Sequence, residues 1–103
     1  MPDAHDALLR GLKARLGEFH ELEVREARSQ RWHSATFSGS RHSFALTLSG
    51  PAADTVAACF AASLDAMEFV LPGHLVADIA IADRVDSPSC STFTVEALTV
   101  EDV

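Results

Sequence analysis

Apolar residues near the start of the chain recur at the spacing of one helix face: Leu8, Leu9, Leu12 and Leu16, with Phe19 beyond. The pattern predicts an amphipathic helix from Asp3 to Leu16. Asp3 suits its cap, Asp6 its first turn and Gly17 its end. From Phe19 to Arg28 the period drops to two. Leu22 and Val24 point one way, and Glu21, Glu23 and Arg25 the other, as in a half-buried strand.

Residues 32–49 alternate with a change of parity. Ala35 and Phe37 are apolar at odd positions, whereas Phe44, Leu46 and Leu48 are apolar at even ones. A two-residue hairpin at Gly39-Ser40 reconciles them, pairing Phe37 with His42, Ala35 with Phe44 and His33 with Leu46. The alternative is one long strand with a bulge at the glycine. Pro51 opens a second helix with Gly50 or Ser49 at its cap. Val56, Phe60, Leu64, Met67 and Leu71 form its stripe, and Pro72-Gly73 ends it. Leu75, Ala77, Ile79 and Ile81 then mark one face of a fourth strand over 75–83. A turn around Pro88 leads to a fifth strand over 92–100, with Phe93 and Val95 inward and a bulge expected near Ala97-Leu98.

The expected architecture is one α+β domain over residues 1–103. It has a mostly antiparallel five-stranded sheet in αβββαββ order, with two helices packed on one face. Parity assigns Ser34, Thr36, Ser38, Ser43, Ala45, Thr47, Val76, Asp78, Ala80, Thr92, Thr94 and Glu96 to the other face. Small, mostly uncharged side chains make a flat surface that another sheet or a ligand approaches closely.

Charge narrows the choice of partners. The net charge is −7, which argues against nucleic acid, whose phosphates require a basic footprint. Residues 51–103 hold one basic residue, Arg84, against nine acids, while residues 1–50 are nearly balanced. Complementary halves favour self-association. No apolar run reaches the roughly 18 residues of a membrane helix, and Met1–Asp6 has no basic start or apolar segment like a secretory signal. Cys59 and Cys90 make no disulfide framework; Cys59 reads as a small core residue of the second helix. A cytoplasmic location with free thiols is expected.

The chemistry is sparse. Lys13 is the one lysine, tyrosine is absent, and no phosphate-cradling Gly-Lys-Ser/Thr loop, G-x-S-x-G, S-x-x-K, C-x-x-C or H-E-x-x-H occurs. His33 and His42 should share the inward side of the hairpin, with Glu26 facing His33 across a turn at Ser29-Gln30. Those three are the candidates for a metal-dependent site, although the expected pairing spaces the two imidazoles too widely for one ion. His74 and Asp78, on a strand, lie about 13 Å apart and share no ligand geometry. Arg28, Arg31, Trp32, His33 and Arg41 form the one basic, aromatic stretch, suited to an anion or a stacked ring.

The element order is similar to that of the small acidic type III secretion chaperones, which are α-β-β-β-α-β-β-α homodimers. The resemblance is one of topology over the whole chain, without the final helix. It implies a dimeric, effector-binding chaperone. The residues themselves point first to a non-enzymatic homodimeric module that binds a protein or a small molecule, with no cofactor. Ser34, Thr36, Thr47, Asp78, Thr94, Arg31, Trp32 and Arg41 are its ligand or interface candidates. The dimer would form through the small-residue sheet face or through Ala57, Ala61 and Ala62 of the second helix. The alternative is a small metal-dependent enzyme using His33, His42 and Glu26.

Overall fold

A computed structural model describes residues 3–17 and 20–101; Phe19 lies outside them. Helix α1 spans Ala4–Leu16, β1 Glu21–His33, β2 Ser38–Ser49, α2 Ala53–Ser63, β3 His74–Ser87 and β4 Cys90–Glu101. A 3-10 turn, Leu64–Ala66, extends α2. All strand pairs are antiparallel in the order β1-β2-β4-β3. The expected α+β class with two helices and an antiparallel sheet is therefore present, with four strands instead of five.

The difference arises because the first two expected strands are one. Ser29 and Gln30 lie inside β1, opposite His42 and Arg41. The hairpin turn falls at Ser34–Phe37, where the Ser34 hydroxyl accepts from Phe37 N at 3.0 Å and Ser34 N donates to Phe37 O at 2.7 Å. A serine that satisfies the backbone of a four-residue turn outcompetes the strand ladder locally. Ala35 and Phe37 are consequently exposed turn residues. His33 pairs with Ser38 and Trp32 with Gly39. The expected Gly39-Ser40 turn, and the alternative bulge at that glycine, are both replaced by regular strand. The bulge sits instead between Val24 and Glu26.

Two more parity expectations change for the same kind of reason. The register of β3 shifts between Val76 and Asp78, so an extra residue turns the strand over. Val76, Ile79 and Ile81 then pack on the core, while Leu75 remains 60% exposed on the other side. Against β2, β4 runs without a register shift. Ala97 and the polar Thr99 keep to the core face, and no bulge occurs at Ala97-Leu98.

The two helices cover one face of the sheet. Leu8, Leu12 and Leu16 of α1 and Ala57, Phe60 and Leu64 of the second helical segment enclose Phe44, Leu46, Leu48, Phe93 and Val95. Asp3 Oδ1 accepts from Asp6 N at 2.8 Å, the expected cap. Helix α2 departs from expectation at both ends. Its cap is Ala52, held at φ 56° with no side-chain bond. It stops before Met67, where the chain becomes extended. Leu71 still reaches the core, from an extended segment instead of a helix. Cys59 faces solvent and is not a core residue.

Candidate interaction surface

The strand register defines which residues share the uncovered face. Side chains directly opposite in a ladder point to the same side, so the face resolves into rows across β1, β2, β4 and β3. At one end lie Trp32, Gly39, Val100 and Leu75; next come Gln30, Arg41, Leu98 and Asp78. Arg28, Ser43, Glu96 and Ala80 follow, then Glu26, Ala45, Thr94 and Ala82. Glu23, Thr47, Thr92 and Val85 precede the last row of Glu21, Ser49, Cys90 and Ser87. Neither α1 nor α2 crosses these rows: both pack on the other side.

The face has three distinct regions. Its centre is made of small side chains on β2 and β4. Its first end is apolar, with Leu75 exposed and Trp32 lying across Gly39. A side chain at Gly39 would place its Cβ 2.8 Å from the indole ring and 1.9 Å from Thr99 O. The glycine is therefore required by close approach of the indole and of the β4 backbone. Trp32 Nε1 is buried with no partner among the described residues. Between apolar end and small centre lies a charged region. Arg41, Asp78 and Glu96 line a shallow hollow of about 320 Å³ with Ser43, Ala80 and Leu98. All three are exposed, and among the described residues none forms an ion pair, whereas Arg28 is engaged by Glu26.

Of the sequence-derived candidates, Trp32, Arg41, Thr47, Asp78 and Thr94 share this face. Ser34 and Thr36 do not, because they occupy the β1–β2 turn; Ser38 and Val76 fall on the helix-covered side. Arg31 also lies on the covered side, where it pairs with Glu101 at 2.8 Å across the end of β2. Arg28 and Arg41 were both part of the basic stretch; the strand pleat separates them from Arg31 and His33. Leu75, Leu98 and Val100 were missed, since their apolar character pointed to the core and the β3 bulge could not be read from spacing.

The histidine-based site does not assemble. Glu26 stands on the open face, His42 is buried beneath α1, and His33 bonds Ser38 Oγ at 2.9 Å near the turn. Among the described residues no three His, Cys, Asp or Glu side chains are grouped to hold a metal ion. His42 instead joins a polar pair that the sequence did not reveal. His5 Nδ1 lies 3.0 Å from His42 Nδ1, and Thr99 Oγ1 lies 2.9 Å from His42 Nε2. The Thr99 hydroxyl donates to Ser40 O at 3.4 Å. It therefore accepts from His42 Nε2–H, and the His42 Nδ1 lone pair accepts from His5. Burial, with His5 next, lowers the His42 pKa from 6.5 to about 4; Asp3 opposes the shift and His74 adds to it. His42 is thus held neutral as a structural link between α1 and the sheet.

A larger hollow, about 510 Å³, runs beside α1 between Ala7, Gly11, Ala14, Phe69 and Val70. No helix of the described residues is long and apolar enough to cross a membrane. The chain matches no protein-family model, no curated protein and no solved structure.

Proposed function

We propose that this protein is a non-enzymatic interaction module that works as a homodimer through the open face of its sheet. The observation that carries the reading is the face itself: four long strands with a small-residue centre, an apolar end and charges of both signs that have no ion pair among the described residues. Small central side chains permit backbone-close packing of a second layer. A sheet with helices on one side only has room for such a layer, and a chain of 11.0 kDa buries a smaller share of its surface than a larger domain does, so association adds burial.

The edges of the sheet are less suited to self-association. Edge strand β1 carries Glu21, Glu23 and Arg25 and a bulge, and edge strand β3 carries two register shifts; charges and bulges of this kind discourage edge pairing. The chaperone reading loses support, because it rested on three strands between the helices where there are two. The metal-enzyme reading loses support because Glu26, His33 and His42 stand apart.

Sedimentation of the wild type near 10 µM tests the proposal, beside Thr94→Arg at the centre of the face. The wild type should be a dimer and Thr94→Arg a monomer with an unchanged far-UV spectrum. A monomeric wild type would discard self-association. A dimer indifferent to Thr94→Arg would move the contact to another surface, with Ala61 and Ala62 of α2 the next to test.

A further inference from the structure

We infer that the second copy lies face to face with the first about a two-fold axis parallel to the strands, running between β2 and β4. The inference rests on the open-face reading and adds its register. Such an axis lays β1 of one copy over β3 of the other, and β2 over β4, row upon row.

Row by row, the chemistry matches. In the first row Trp32, its indole lying over Gly39, meets Leu75 and Val100 of the second copy, so apolar meets apolar. In the second row Arg41 lies over Leu98 of the other copy, flanked there by Asp78 in the same row and Glu96 in the next. The cation that has no ion pair among the described residues thus faces two anions that also have none among them. Symmetry makes the contact twice. In the fourth row Thr94 lies over Ala45, two small side chains at the middle of the layer. The long acidic residues Glu21, Glu23 and Glu26 all belong to edge strand β1. There they reach the rim and solvent without being trapped between the sheets.

A two-fold axis across the strands is the obvious competitor, and it fails on the same rows. It would place the apolar row of Trp32, Val100 and Leu75 on the row of Glu21, Ser49, Cys90 and Ser87. Arg41 would then meet Thr47, leaving Asp78 and Glu96 without a counterion. The size of the face is adequate: rows about 7 Å apart and strands about 5 Å apart give each residue a cell of about 35 Å², or about 840 Å² over six rows of four. A standard interface buries about 800 Å² of accessible surface per partner, and accessible surface exceeds projected area. Like charges set opposite each other oppose association and opposite charges select it, so the register is specified by charge and held by burial.

A charge-swap pair tests the register. Arg41→Glu alone should set acid against acid at both symmetric contacts. Asp78→Arg/Glu96→Arg alone should set base against base. Each variant should sediment as a monomer at 10 µM, with self-association weakened at least tenfold. Mixed in equal amounts, they should form a one-to-one heterodimer, because both contacts become complementary again. That recovery also demonstrates that both variants are folded; if the double variant does not fold, Glu96→Arg alone takes its place. If the wild type dimerises and Thr94→Arg abolishes it, but the mixture does not recover, the register is overturned while the open-face reading stands. If the wild type is monomeric at 10 µM, both are overturned.

Discussion

His5 and His42, 37 residues apart, meet through their Nδ1 atoms at 3.0 Å and tie the first turn of α1 to the centre of the sheet. The bond needs one donor and one lone pair. With His42 Nε2–H committed to Thr99, the lone pair belongs to His42. A second proton on His42 would set two N–H groups against each other inside the core.

Acid should therefore weaken the fold before ordinary carboxylate titration is complete. The folded pKa of His42 is lowered, from 6.5 to about 4. The unfolded chain thus binds this proton first as the pH falls, and stability rises with pH through this window. The contribution is fully present above about pH 6.5 and is lost progressively as the pH drops toward 4, a change of about 2–3 kcal/mol. Urea unfolding at pH 7.5 and 4.5 measures it, with His42→Phe as the comparison. A wild-type midpoint that moves no more than that of the variant would refute the assignment.

Gly39 should tolerate no side chain, for a reason unrelated to a turn. Gly39→Val drives a branched side chain into the Thr99 carbonyl and the Trp32 ring, and should cost about 2 kcal/mol or more. Trp32→Phe is the informative partner. It keeps a ring over the glycine and deletes a buried N–H that has no partner among the described residues, and burying such a group costs about 1–3 kcal/mol. Thermal melts should therefore show the second variant at least as stable as the wild type below its association threshold. A large loss there would mean that the indole N–H has a partner.

The bulge in β3 makes two similar aliphatic residues unequal. Ile79→Ala should destabilise by about 2–5 kcal/mol, as should Leu12→Ala, Phe60→Ala and Leu64→Ala, because all four are buried. Leu75→Ala, at an exposed site, should cost under about 0.5 kcal/mol of monomer stability. It should weaken the dimer instead. Equal losses at Leu75 and Ile79 in chemical denaturation would rule out the register shift.

Two threonines that parity assigns to one surface should behave differently. Thr94→Arg lies at the middle of the open face, whereas Thr36→Arg lies in the exposed β1–β2 turn. Light scattering should find the first monomeric and the second as dimeric as the wild type. Dissociation by Thr36→Arg would place the turn inside the interface.

The contacts of Arg41 with acidic residues of a second copy should also be salt-sensitive. Raising ionic strength from about 0.05 to 0.5 M shortens the screening length from over 10 Å to a few ångströms. The dimer should weaken measurably in sedimentation, and Arg41→Ala should show a shallower salt dependence than the wild type.

Much of this molecule follows from local pattern. The spacing of Leu8, Leu12 and Leu16, with Asp3 as cap and Gly17 as stop, specifies α1 to within a residue, because helical periodicity and capping are properties of adjacent positions. Alternation likewise marks Phe44, Leu46, Leu48, Phe93 and Val95 as core. The α+β class and the antiparallel sheet follow from the order of such elements. Small residues at 43, 45, 47, 92 and 94 were legible as one face for the same reason.

Tertiary structure decided what depends on pairing with a distant strand. Ser34–Phe37 became the turn, and residues 21–33 one strand, because β2 pairs continuously along β1 from Ser49 to Ser38. Spacing placed Leu75 in the core; a bulge against β4 turned it outward, where it completes the apolar end with Trp32 and Val100. The apolar parity of β4 changes near Ala97-Leu98 and predicts a bulge there, yet the strand runs on regularly against β2 with Thr99 on its core face. Thr99 is buried in place because His42, 57 residues away in sequence, satisfies its hydroxyl. The period of a strand is two, so one inserted residue reverses every side chain beyond it. Whether that residue is inserted is settled by hydrogen bonds to a neighbour the local sequence does not name.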